Sequence, residues 1–141
     1  MTNTINSVAI PDSHRDLFEK PVYAVVTTVM PDGQPQSTVV WADMKDGYAR
    51  FNTARGRQKD RNLKRNAKVT MVLIDPENAY RWIEIRGTAQ VTEEGGRDQI
   101  EALSWKYKGQ KYYGGFNTRT TPEQETRVVV TIHASRVRTM G

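Results

Sequence analysis

From Ala79 to Thr92 the residues alternate in character. Ile83, Ile85, Gly87, Ala89 and Val91 fall on one parity, and Trp82, Glu84, Arg86, Thr88 and Gln90 on the other. A period of two over this length predicts a half-buried strand, because successive residues of an extended chain face opposite sides. Such a strand needs neighbours to cover its apolar face, and the chain supplies several short apolar runs separated by turn signals. Val22 to Met30 is β-branched and apolar almost throughout, as a strand covered on both faces is. Pro31-Asp32-Gly33 predicts a turn, and Gln36 to Met44 returns as a second strand. Asp46-Gly47 predicts another turn into Tyr48 to Thr53. Lys68 to Ile74 and Arg127 to Ser135 read as further strands, the last with Val128, Val130 and Ile132 alternating against Arg127, Val129, Thr131 and His133.

Helical patterns are few. Residues 1–10 read as a flexible arm, and Pro11-Asp12-Ser13 opens a short helix through Leu17, Phe18 and Lys20 that Pro21 stops. Residues 95–108 place Ile100, Leu103, Ser104 and Tyr107 at helical spacing. Gly109 to Thr126 is polar, glycine-rich and longer than a connection requires. Its Tyr112-Tyr113-Gly114-Gly115-Phe116 cluster reads equally as a lid over substrate or as a surface loop. Successive hairpins with one inserted helix predict a small antiparallel barrel, with residues 11–141 forming a single domain.

Charge is concentrated in one place. Arg55, Arg57, Lys59, Arg61, Lys64, Arg65 and Lys68 face Asp60 alone between residues 55 and 68, a local net of +6 against +5 for the whole chain. Three readings compete for this segment: a solvated charged helix, a nucleic-acid face, and a clamp for one phosphate. Aromatic residues are not interleaved with the basic ones and no nucleic-acid motif is present, which weighs against the second. In the third, the Thr53 hydroxyl, the Gly56 backbone, Arg57 and Lys59 converge where a strand passes through a turn into a helix.

Other chemistry is not advertised. The absence of cysteine removes disulfides, Cys-based zinc sites and thiol nucleophiles, and suits a reducing cytoplasm. No apolar run reaches membrane-spanning length, and Met1 to Ile10 lacks the layout of a signal peptide. His14 and His133 lie in different predicted elements without metal-ligand spacing, so no metal site is expected. No nucleophile elbow, Walker loop or dinucleotide fingerprint occurs. If the chain is an enzyme, a bound cofactor does the difficult step, and no catalytic side chain is assigned.

The order Gly33-Gln34-Pro35-Gln36, then F-N-T-x-x-G-R-x-K from Phe51, then R-N-L-x-R-N-x-K-V from Arg61, then a strand ending I-x-G-T-A, resembles the pyridoxamine-phosphate-oxidase-like flavoproteins. The likeness covers roughly residues 10–140 and is closest to the flavin/deazaflavin oxidoreductases that bind coenzyme F420. It implies a mostly β, split β-barrel fold with a few short helices, and a cytoplasmic homodimer with cofactor sites at the subunit interface. By the same resemblance Thr53, Arg57 and Lys59 face the cofactor phosphate, with Arg61 and Asn62 nearby. Gln36, Thr38, Val39 and Val40 lie along the ring, Asn52 flanks it, and Tyr80 and Trp82 arrive from the other subunit.

Two departures favour the deazaflavin over FMN. Trp82 stands where the FMN-dependent oxidases place a glutamine, and Gln58 where they place an arginine. The chain through Gly141 also lacks the Arg-rich substrate motif of true pyridoxamine-phosphate oxidases, so pyridoxal phosphate synthesis is not expected. The expected activity is hydride transfer from reduced F420 to a small electron-poor acceptor, with Tyr80, Tyr112, Tyr113 or solvent as proton source. The alternatives are an FMN enzyme of the same fold and a non-catalytic cofactor or pigment binder; neither nucleic acid nor membrane is expected as a partner.

Overall fold

The computed structural model describes residues 7–114 and 120–141. Seven strands form one antiparallel sheet: β1 (Ala24–Val29), β2 (Pro35–Val40), β3 (Ala42–Lys45), β4 (Tyr48–Ala54), β5 (Lys68–Ile74), β6 (Trp82–Thr92) and β7 (Arg127–Met140). Their order is β2-β1-β5-β6-β7-β4-β3. Among the described residues three α-helices accompany them: α1 (Asp16–Glu19), α2 (Gln58–Arg65) and α3 (Gly96–Lys108). No helix among the described residues is long and apolar enough to cross a membrane. Of the arm expected at residues 1–10, residues 1–6 lie outside the described ones, the Val8 N–H donates to the Ala134 carbonyl, and Ile10 is buried.

The strand expected over Gln36 to Met44 is two strands. β2 pairs with β1, β3 pairs with β4, and only Trp41 separates them. These are the two outer strands of the sheet, so its edges meet at Trp41 and the sheet must curl into a barrel. An uninterrupted apolar pattern conceals this corner, because residues before and after it both face the core: Val40 and Ala42 are buried.

The core is continuous from sheet to N-terminal turn. Val26, Phe51, Met71, Ile83, Ile85 and Ile132 fill the barrel, and Leu17 and Phe18 of α1 close one end. The alternation of β6 holds, with Ile83, Ile85 and Gly87 buried. The expectation that the first strand is covered on both faces does not: Val25 is exposed, and Tyr23 just before the strand is 58% exposed. The last strand runs five residues past Ser135 to Met140 and pairs with both β6 and β4. Arg136 and Arg138 hide this extension in the sequence, since they pair across to Arg86 and Glu84 on a polar face. Arg127 and Val129, expected to face outward, are buried.

Helix α3 explains that burial. It lies across β4 and β7, where Asn52 Nδ2 donates to the Gly96 carbonyl at 2.9 Å and to Gln99 Oε1 at 3.0 Å. At its far end the Tyr107 hydroxyl accepts from the Ala42 N–H at 2.9 Å and donates to the Val22 carbonyl at 2.6 Å. The approach at Gly96 requires glycine, because a Cβ there would lie 2.0 Å from the Arg127 carbonyl oxygen. Backbone surrounds that point, so a methyl group must lift the helix. Gly96→Ala is expected to cost about 1–3 kcal/mol, read as a lowered Tm; an unchanged Tm would refute the close contact.

Candidate functional site

A cavity of about 380 Å³ lies under α3 and beside the Trp41 corner. That volume is within the roughly 300–1,000 Å³ of small-molecule sites. β2 contributes Val39 and Val40, β4 contributes Asn52 and Thr53, and the turn into α2 contributes Arg57 and Lys59. Ile100 and Leu103 of α3 form an apolar wall, Tyr112 and Arg127 lie with the cations, and Lys108 and Gly114 also line the cavity.

The aromatic part of the cavity is stacked. Trp41 lies on Tyr107 with ring centres 5.4 Å apart and planes 13° from parallel, and Tyr23 meets Tyr107 at 5.5 Å. Trp41 and Tyr23 both line the cavity. Burial pushes the Tyr107 phenol up to about 12, so it stays protonated and keeps both bonds to the corner. Lys106 Nζ adds a bond to the Ala42 carbonyl at 2.7 Å.

The cationic part is built from Arg57, Lys59 and Arg127. Burial first, then Arg57 and Arg127, push the Lys59 ammonium below the ordinary lysine value, and no carboxylate offsets them. Thr53 is 1% exposed, and its Oγ1 has no hydrogen-bond partner among the described residues. A buried hydroxyl without a partner is costly, commonly about 1–3 kcal/mol. Thr53 and Lys59 line the same cavity, and a hydroxyl free to donate together with an ammonium that no carboxylate pairs suits a bound anion.

Much of the rest of the basic segment is engaged within the protein. Asp60 is buried and accepts from the Gly56 N–H at 2.9 Å and from Arg55 Nη1 at 2.8 Å. Burial raises the Asp60 carboxyl, but Gly56, Arg55 and Lys64 outweigh it and hold it below its usual range. The Gly56 N–H, expected at the phosphate, is thus already taken, and the turn that presents it depends on Gly56 at φ 88°. Arg61 donates to the Gly56 carbonyl and to Gln58 Oε1, and Arg65 to the Val29 carbonyl.

Several residues that the sequence placed at the site stand apart from this cavity. Asn62 is fully buried and donates to Thr28 Oγ1 at 3.0 Å, with Gln36 Oε1 3.4 Å away, so it ties α2 to β1 and β2. Arg61 is exposed and does not line the cavity. Gln36 and Thr38 lie next to the lining on β2, and Thr38 Oγ1 is a second buried hydroxyl without a partner among the described residues. Tyr80 and Trp82 do not line the cavity of their own chain; Tyr80 is 79% exposed, and Trp82 packs near Arg138. Val39, Val40, Asn52, Thr53, Arg57 and Lys59 do come together.

Sequence reasoning missed Tyr23, Trp41 and Arg127 as lining residues, whereas Tyr112, read as lid or surface loop, does line the cavity. Arg127 is also an ion-pair partner: its Nη2 donates to Glu125 Oε2 at 3.0 Å and its Nη1 to Asn52 Oδ1 at 3.3 Å. An arginine at the start of an apolar strand was the available signal. Tyr112 is buried, whereas Tyr113 is exposed, and Gly115 and Phe116 of that cluster lie outside the described residues. The histidines serve packing: His14 Nε2 donates to the Met140 carbonyl at 3.0 Å, and His133 Nε2 meets Gln90 Oε1 at 2.8 Å. No metal-binding cluster of His, Asp and Glu occurs among the described residues.

The profile of pyridoxamine 5'-phosphate oxidase matches residues 10–141. The chain belongs to this family. Among solved structures, one named F420 reductase is 30% identical with a TM-score of 0.76, covering 92% of this chain and 98% of its own. A conserved hypothetical protein of Mycobacterium tuberculosis is 25% identical with a TM-score of 0.75, covering 99% and 89%. General stress protein 26 of Bacillus anthracis shares the fold at 19% identity and a TM-score of 0.67, covering 89% and 88%. No curated protein matches the chain by sequence.

The depressed Lys59 pKa has a defined consequence for stability. Its folded value lies below the unfolded one, so the folded state binds fewer protons and gains stability as pH rises toward 10.5. Lys59→Met is expected to melt no lower than the parent near neutral pH and to lack that gain. A fall in Tm at neutral pH would show that Lys59 supports the fold rather than awaiting a ligand.

Proposed function

We propose that the protein is a homodimeric oxidoreductase that holds coenzyme F420 in this cavity and reduces a small, flat, electron-poor acceptor. The observation that carries the reading is the unpartnered Thr53 hydroxyl together with the uncompensated Lys59 ammonium, in a cavity whose other part is aromatic. A phosphate-bearing cofactor with a planar ring suits both parts. Thr53, Lys59 and Arg57 would hold the phosphate, and Val39, Val40 and Trp41 would lie along the ring. The 30% identity to the structure named F420 reductase supports the deazaflavin. Gln58, where the FMN-dependent oxidases carry an arginine, donates to Asn62 Oδ1 at 2.8 Å and so braces the helix.

Reduced F420, when bound, supplies a hydride equivalent. The chain's own residues position and exclude water. Ile100 and Leu103 keep one wall dry, while Arg57 and Arg127 favour negative charge near the opposite wall. Tyr112 is a poor proton donor, since burial and its bond to Glu125 push its phenol up to about 12. The proton then comes from solvent or from groups on the partner subunit.

An apolar strip supports the dimer. Val39, Val25 and Val72 align across β2, β1 and β5, and Ile74, Trp82 and Met140 align across β5, β6 and β7. Val39 is 64% exposed, and both it and Tyr23 also line the cavity, so the cavity opens onto this strip. A second copy seated there would finish the cavity wall and bury the strip.

Titration of the purified protein with F420 and with FMN, beside sedimentation velocity, tests this reading. The expected result is a dimer that prefers F420, with affinity lost at least tenfold in Arg57→Ala. A preference for FMN would keep the site and change the cofactor. Tight binding without turnover of any acceptor would make the protein a carrier, and a monomer that binds neither would overturn the proposal.

A further inference from the structure

The cationic part of the cavity is backed by an anion. The Glu125 side chain is 4% exposed, and its Oε2 accepts from Arg57 Nη2 and from Arg127 Nη2, each at 3.0 Å. Its Oε1 accepts from the Tyr112 hydroxyl and lies 3.4 Å from Arg127 Nε. Glu125 borders a second cavity of about 360 Å³ whose lining also includes Arg57. The carboxylate therefore sits behind Arg57 as seen from the main cavity. Arg57 and Arg127 both act on Lys59, and one carboxylate is shared between the two arginines.

A fixed negative charge behind the seat acts on any anion that enters it. Its repulsion grows in proportion to the ligand's charge, and burial keeps solvent from screening it. A phosphate monoester is nearly a dianion at neutral pH, its second pKa being about 6. A phosphodiester carries one charge and meets half the repulsion. We propose that Glu125 tunes the charge selectivity of this site, penalising a doubly charged phosphate monoester more than a singly charged phosphodiester. The inference rests on the seat of Thr53, Arg57 and Lys59 being where the ligand's phosphate goes. Glu125 touches no ligand in this account and determines specificity through Arg57 and through space.

The test measures what the phosphate adds to binding. Affinities of FMN and of its phosphate monomethyl ester, each divided by that of riboflavin, give one ratio for the monoester and a second for the diester on the same ring. Glu125→Gln is expected to raise the first ratio about tenfold and the second only about threefold. Glu125→Asp keeps a charge for Arg127 but draws it back from Arg57, and gives a smaller rise in the same order should the glutamine variant fold poorly. Unchanged ratios, or equal rises in both, would overturn the inference. If Lys59→Met still removes the phosphate's contribution in that case, the seat stands and only the role of Glu125 is lost. If the phosphate adds nothing in any variant, seat and inference fall together.

Discussion

The two edges of the sheet are neighbours in the chain. Val40 ends one edge strand and Ala42 begins the other, so one residue, Trp41, spans the place where the barrel has no ladder of hydrogen bonds. Such a corner leaves backbone without sheet partners and needs bonds from elsewhere. The Tyr107 hydroxyl and Lys106 Nζ supply them at Ala42, and the Trp41 ring stacks on Tyr107. That clasp fixes the C-terminal end of α3, while Gly96 and Asn52 fix its N-terminal end against β7 and β4. The cavity is the space left between a helix held at both ends and a sheet that closes only through its chain.

Its electrostatics follow from the same arrangement. Helix α2 is anchored by Asn62 on one side and tied to the preceding turn by Asp60 on the other, which points Arg57 and Lys59 inward from the turn. Much of the segment's positive charge is answered locally, by Asp60, Glu93 and Glu125 or by backbone carbonyls. Lys59 and the Thr53 hydroxyl are not, and both lie where burial makes that unfavourable. Local conflicts of this kind, in a fold otherwise consistent with its sequence, mark functional positions.

The strands were largely legible, because alternation and turn residues are local signals. Ile83, Ile85 and Gly87 turn inward as their spacing requires, and Gly33 and Gly47 sit in turns at positive φ. The corner at Trp41 was not legible, since the burial pattern continues through it while the pairing partner changes. At the site, residues on the strand-turn-helix stretch were found because the chain itself brings Thr53, Arg57 and Lys59 together. Tyr23, Tyr112 and Arg127 come from remote segments, joined only by tertiary packing. The basic run overstated the free charge, because arginine side chains that reach back to carbonyls look the same in sequence as those that face a ligand.

The account turns on a hydroxyl placed for a ligand rather than for the fold, and Thr53→Val isolates it. The measurement is paired: the Tm of the ligand-free protein and its affinity for F420. The methyl group fills the same volume without a buried, unpartnered oxygen, so the account predicts a Tm equal to or above the parent's and binding weaker by about tenfold. A lower Tm with unchanged affinity would contradict it, placing Thr53 in the architecture of the barrel and the ligand's anion elsewhere.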